Sequence, residues 1–161
     1  LPLMQPGCRI VNTVSCTYAI GRIEPDFFEK GKNGRFFRIP VYGNTKLALL
    51  LFTQELAKRI QDKGITINAS DPGIVSTNMI TMQAWFDPLT DILFRPFIKT
   101  PAQGAATAIH LALSNEAKDK NGCCYANCKK RNVPERIRHH TQQKQLWDDT
   151  EILLRQKGIR F

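Results

Sequence analysis

Tyr42 and Lys46 stand four residues apart at the start of VYGNTKLALLLF, residues 41–52, a stretch whose remainder is greasy enough to fill any core. Residues at i and i+4 of a helix share a face, so the phenol and the ammonium can point into one cleft. A phenol titrates at about 10 and is a poor acid or base at neutral pH, but a nearby ammonium stabilises the phenolate and pulls that value down. The pair is therefore a tunable proton donor and acceptor for a carbonyl or an alcohol. Spacing alone is weak support, because YxxxK arises by chance and a tyrosine at a helix start is commonly a packed amphipathic side chain.

Two further features gather around the same chemistry. Ser15 closes the run RIVNTVS, residues 9–15, and Asp71-Pro72-Gly73 stops the run ITINAS, residues 65–70. If both runs are strands of one parallel sheet, their carboxyl ends meet the ligand crevice on the same side. The Ser15 hydroxyl can then donate to a substrate oxygen, and the DPG turn gives a close backbone approach beside it. Thr77 follows as a further cap or ligand hydroxyl.

These residues must be positioned by larger elements. Residues 9–15 are apolar and β-branched without strict alternation, as expected of a strand buried on both faces. Residues 17–40 are polar and rich in Gly and Lys, with aromatic pairs at Phe27, Phe28 and Phe36, Phe37, and read as an excursion over the surface. A helix is predicted over about 41–61, with Leu47, Leu50, Leu51, Leu56 and Ile60 as its apolar stripe and DKG at 62–64 as its end. A second strand at 65–70 completes a strand–helix–strand order, which points to a parallel sheet covered by helices. Thr100, Pro101 and Gln103 form a helix-start signature with a capping box. A third strand is expected near 122–126, and a last helix over 142–157 with Leu146, Trp147, Leu153 and Leu154 inward.

The 161 residues make one domain of ordinary size, and 42% hydrophobic with 23% charged residues describes a folded chain rather than a disordered one. The net charge of +9, from 23 Lys and Arg against 14 Asp and Glu, is dispersed along the chain, so nucleic acid is not the expected partner. No run approaches the roughly 18 apolar residues of a membrane span. The opening LPLMQPGCRIVN lacks the basic and long apolar regions of a signal peptide, and five unevenly spread cysteines suit a reducing compartment, so the cytoplasm is the expected location. Cys123, Cys124 and Cys128 with His139 and His140 do not have zinc spacing, and no metal site is expected.

The succession RIVNTVS, YGNTKLALLLFTQELAKRI, GITINASDPGIVSTNM resembles the C-terminal part of the short-chain dehydrogenases/reductases, especially the retinol-dehydrogenase-like branch, over nearly the whole chain from Arg9 onward. The resemblance implies an α/β fold: the C-terminal portion of a Rossmann-type doubly wound parallel sheet, residues 1–161 forming part of a single domain, with a substrate flap at about 74–99 and the N-terminal dinucleotide-binding half absent. It implies hydride transfer between NAD or NADP and the carbonyl or alcohol carbon of a hydrophobic small molecule. Ser15, Tyr42 and Lys46 would be catalytic, and Tyr42, Lys46, Pro72, Gly73, Ile74 and Thr77 would contact the cofactor. Tyr42 would exchange a proton with the substrate oxygen, Lys46 would lower its pKa and hold the nicotinamide ribose, and Ser15 would orient and polarise that oxygen. Aligned without a gap from RIVN, the family's paired serines fall on Val14 and Ser15. A one-residue slip that puts Cys16 at the active position is less economical. A rival reading is a non-catalytic dimerisation or regulatory module of the same fold, a homodimer formed through the helix at 41–61.

Overall fold

The computed structural model describes residues 3–24, 27–28, 38–75 and 98–159. β1 (Arg9–Thr13) pairs in parallel with β2 (Thr66–Asp71), β2 in parallel with β3 (Cys124–Ala126), and β3 antiparallel with β4 (Lys129–Lys130), in the spatial order β1-β2-β3-β4. The helices are α1 (Arg38–Arg59), α2 (Pro101–Leu113), the single turn α3 (Glu135–Arg138) and α4 (Gln143–Gln156).

Helices cover both faces of the sheet, which explains why the strand sequences do not alternate between apolar and polar. Toward α1 point Ile10, Asn12, Ile67 and Ala69; toward α2 and the residues after it point Val11 and Tyr125. The leucines of α1 supply most of the first layer: Leu47, Leu50 and Leu51 are fully buried with Val14, Tyr18, Ala69 and Cys124, and Leu56 and Ile60 with Ile65 and Ile67. Each such side chain contributes about 1.5–3 kcal/mol by leaving water. The apolar stripe of α1 thus packs on the chain's own sheet. The neighbouring face of α1 meets α4, where Phe52 stacks on Trp147 at 5.2 Å and Gln143 donates to the buried carboxylate of Glu55.

Helix boundaries shifted for local reasons. α1 begins before Pro40 rather than after it, because a proline in the first turn lacks only an N–H that has no partner there anyway. At the start of α2 the expected box is made in full: Gln103 N donates to Thr100 Oγ1 at 3.2 Å and Thr100 N to Gln103 Oε1 at 2.9 Å. β4, only two lysines long, gives no hydrophobic signal. It follows from a tight hairpin whose two loop residues, Asn127 and Cys128, both have left-handed backbones, φ 51° and 59°.

One expectation about the fold is corrected. The sheet is Rossmann-type and mostly parallel, as expected, but the chain does not lack the unit from which dinucleotide-binding sheets are built. β1, the 3-10 turn Cys16–Ile20, α1 and β2 form a parallel strand–helix–strand unit at the very start of the chain. The expectation of an absent half rested on the missing run of glycines after a strand. In the structure, the turn after β1 is instead fitted to its helix through one glycine on each side. The flap expected at 74–99 falls for the most part, at 76–97, outside the described residues, as do Phe36 and Phe37.

Candidate active site

β1 and β2 end in register, Thr13 opposite Ser70, and Val14 N extends the ladder by donating to Ser70 O at 2.9 Å. The residues that follow each strand therefore leave the sheet along one rim. On the first side, Ser15 is the cap of the 3-10 turn: its backbone is extended and its Oγ accepts from Thr17 N at 3.4 Å, leaving the hydroxyl proton free to point elsewhere. Cys16, the alternative given by a one-residue slip, is exposed inside the turn and does not cap it.

The turn is pressed onto the first turns of α1. A Cβ at Gly21 would lie 2.4 Å from Gly43 O and 2.8 Å from Leu47 Cβ, and one at Gly43 would lie 3.0 Å from Thr17 O. Only two bare backbones can approach that closely. Arg22 N donates to Asn44 Oδ1 at 2.8 Å, adding a bond beside the contact. The flanking residues of α1 are thereby delivered to the rim. Lys46 Nζ donates to Thr13 O at 3.0 Å, at the last residue of β1, and lies 5.4 Å from the centre of the Tyr42 ring. Tyr42 itself is 38% exposed, so its hydroxyl is available to a ligand.

On the second side, β2 runs into Asp71, Pro72 and Gly73. The Asp71 side chain is 2% exposed, its Oδ1 accepting from Gly73 N at 3.0 Å and its Oδ2 from Arg131 Nη1 at 2.8 Å. Gly73 takes a left-handed φ of 76°, and Lys99 Nζ donates to Pro72 O at 2.9 Å and to Asn127 Oδ1 at 2.6 Å. Ile74 is half exposed beyond the turn, its carbonyl accepting from Lys99 N at 2.8 Å. Behind both turns, Tyr18 and Cys124 are buried in the same cluster. Burial, reinforced by the neighbouring thiol, pushes the Tyr18 phenol up to about 12. Burial and the Asp71 carboxylate push the Cys124 thiol up to about 11.

The expected residues Ser15, Tyr42, Lys46, Pro72, Gly73 and Ile74 are thus gathered on one rim, while Thr77 lies outside the described residues. Asp71 belongs to the DPG turn that the sequence already places on this rim; Lys99, Arg131 and the facing of Gly21 on Gly43 carry no such signal in the sequence. An apolar cavity of about 240 Å³ between α1 and α4, lined by Phe27, Phe28, Ala48, Leu49 and Trp147 among others, contains none of the rim residues. It is a seam between two helices, separate from the polar groups. Among the described residues no cluster of His, Cys, Asp or Glu could hold a metal ion, and no helix is long and apolar enough to cross a membrane.

Known proteins resemble this chain in sequence and in fold. The family model described as short chain dehydrogenase matches residues 29–85. Retinol dehydrogenase 12 of Mus musculus is 38% identical over 153 residues, which cover 95% of this chain and 46% of that protein. The chain spans about half the length of the curated relatives it matches. Among solved structures, a putative uncharacterized protein from Mycobacterium paratuberculosis superposes with a TM-score of 0.66 at 20% identity, over 96% of this chain and 52% of the other. A blue fluorescent protein from a metagenomic library, solved in complex with NADPH, superposes with a TM-score of 0.55 at 26% identity, over 78% and 45% of the two chains.

Proposed function

We propose that this chain, whose fold is that of the short-chain dehydrogenases and which is related in sequence to the retinol dehydrogenases, serves an NAD(P)-dependent oxidoreductase that interconverts a carbonyl and an alcohol on an apolar substrate. The observation that carries the reading is the convergence of Lys46, Tyr42 and the Ser15 turn at the carboxyl end of β1, beside the Pro72–Gly73 turn that ends β2.

The residues present suit a nicotinamide dinucleotide. An ammonium and a phenol can meet ribose hydroxyls, a glycine turn with a left-handed backbone leaves room for close approach, and the half-exposed Ile74 gives an apolar surface for a flat ring. Bound there, the dinucleotide supplies or accepts the hydride. Tyr42 gives a proton to the substrate oxygen during reduction and takes one back during oxidation. Negative charge that develops on the Tyr42 oxygen is stabilised by the Lys46 ammonium, which Thr13 O holds in place. Ser15 donates a hydrogen bond to the same substrate oxygen and fixes its orientation. Thr77 is proposed, from the resemblance alone, as a further cofactor contact. The relatives named as retinol dehydrogenases favour an apolar aldehyde or alcohol of the retinoid kind as substrate.

The test is Tyr42→Phe, assayed with reduced nicotinamide dinucleotide and an apolar aldehyde. Turnover should fall about 10²–10⁴-fold, the usual worth of a positioned acid or base. Stability should move by less than about 0.5 kcal/mol, because the lost hydroxyl is on an exposed side chain. Turnover equal to the unsubstituted protein would refute the role.

A further inference from the structure

The Asp71 carboxylate is almost completely withdrawn from water, yet it sits at the end of a strand that leads into the rim. Burying a carboxylate is costly unless its charge and lone pairs are met. Both oxygens are met, and by groups of different origin. Oδ1 takes the N–H of Gly73, two residues on, and so closes the turn on itself. Oδ2 takes the guanidinium of Arg131, sixty positions away in the chain.

Arg131 is itself anchored. Its backbone N–H donates to Cys124 O at 2.7 Å, which holds the residue immediately after β4 against β3. The opposite side of the same turn is tied to the same hairpin, since Lys99 joins Pro72 O to Asn127 Oδ1, and Asn127 is the first loop residue between β3 and β4. Cys128, next to it, donates its N–H to Thr107 Oγ1 of α2 at 3.2 Å, so the loop is fixed to a helix in turn. Two cations thus fasten one three-residue turn to one hairpin from two directions.

We propose that Asp71 and Arg131 are positioning residues of the crevice: their ion pair, seconded by Lys99, clamps the Pro72–Gly73 turn to the β3–β4 hairpin and sets the height of the rim against which a nicotinamide dinucleotide rests. The role as a clamp stands on the geometry, and the link to the dinucleotide rests on the function proposed above. Simple stability gives a poor account of the pair, because burial of the Asp71 carboxylate is costly while the Arg131 side chain, 45% exposed, attracts it through solvent screening. Its specific contribution is placement, since a cation rooted immediately after β4 fixes where the Asp71 carboxylate is met.

The experiment compares the unsubstituted full chain with Arg131→Met and Arg131→Lys, by amide hydrogen exchange and by fluorescence titration with NADPH. In Arg131→Met, exchange at Gly73 and Ile74 should quicken at least about tenfold while amides in the middle of α1 keep their rates, and the dissociation constant for NADPH should rise about tenfold. Arg131→Lys, which keeps a charge on a similar stem, should stay within about threefold of the parent in both readings. Unchanged exchange at Gly73 in Arg131→Met would overturn the clamp. Faster exchange with unaltered NADPH affinity would reduce the pair to a local brace and overturn the positioning role. A parent chain that does not bind NADPH, with exchange responding as expected, would support the clamp and refute the dinucleotide reading instead. If Arg131→Met does not fold, Asp71→Ala combined with Arg131→Met leaves no unpaired buried charge and should show the same gain in exchange.

Discussion

The two walls of the crevice are held by opposite means. The wall after β1 is set by missing atoms, with Gly21 against Gly43 and Leu47 at distances no side chain would allow. The wall after β2 is set by charge, with a buried carboxylate and two cations drawn from residues 99 and 131. A wall made by contact between bare backbones has one available spacing and is hard to adjust, since a packed interior resists even one added methyl group. A wall made by charged side chains has its position chosen by bonds that can be lengthened, swapped or neutralised. The groups proposed to move the proton, Tyr42 and Lys46, sit on the first wall. The turn proposed to seat the cofactor sits on the second.

The sharpest way to break this contrast is to add one carbon to the first wall. Gly21→Ala places a Cβ where Gly43 O and Leu47 Cβ already stand, so the 3-10 turn must lift from α1 or α1 must move. We expect a loss of about 3 kcal/mol, at the upper end for overpacking because the obstructing atom is backbone, read by urea denaturation. The same change should depress turnover more than NADPH affinity, as the displaced group is Tyr42 rather than the Gly73 turn. A variant as stable as the parent would mean that the two glycines do not define that wall.

The difference between the walls also explains what the sequence shows and what it hides. Tyr42, Lys46, Ser15 and the DPG turn are legible because each is a local signal, a spacing on a helix or a residue type at a strand end. The capping box at Thr100 and Gln103 is legible for the same reason, and its two hydrogen bonds are made. The partners of Asp71 are not legible. No local pattern links residue 71 to residue 131, because their meeting depends on a hairpin whose second strand is two lysines and whose loop uses Asn127 and Cys128 at positive φ in place of glycine. The glycine pair is hidden in another way, since a glycine in a polar loop and a glycine in a helix give no sign that they face one another. Pro40 reads as a boundary although α1 begins before it, at Arg38, and the strand–helix–strand unit at β1, α1 and β2 carries no glycine run after its first strand to announce it.

A second, smaller effect should appear at alkaline pH, and it belongs to the second wall. Tyr18 and Cys124 are buried behind it among Asp71, Arg131 and Cys123, and each holds its proton more tightly in the folded chain than in the unfolded one. The thiol titrates at about 11 instead of 9.0, and the phenol at about 12 instead of 10.0. For a group whose folded pKa is raised, the unfolded chain releases its proton first. The stabilisation is therefore whole below pH 9 and drains away as pH rises from 9 through 11 for the thiol and from 10 through 12 for the phenol. Each group shifts the other's value, so the two losses are not independent and the joint loss is about 2 kcal/mol. Urea midpoints recorded between pH 8 and 11 check it. Cys124→Ala should postpone the onset by about one pH unit, to where the phenol alone begins to respond. A flat profile would mean that water reaches this pair behind the turn.

The smallest effect tests whether the first wall depends on its hydrogen bond as well as on its glycines. Asn44 lies inside α1 and accepts from Arg22 N across the seam, at an exposed position. Asn44→Ala removes that acceptor, a loss of about 0.5–1.5 kcal/mol at most, moderated because water can take its place at the surface. The same change replaces a residue that competes with helical hydrogen bonding by the best helix former, a gain of roughly 0.7 kcal/mol. The two terms nearly cancel, so stability should shift by no more than about 0.5 kcal/mol in urea. Turnover should change little as well, because the separation of Ser15 from Tyr42 is held by the glycine contact next to Asn44. If Asn44→Ala instead costs as much as Gly21→Ala, the first wall is a bonded wall like the second, and the division between an unadjustable side and an adjustable one fails.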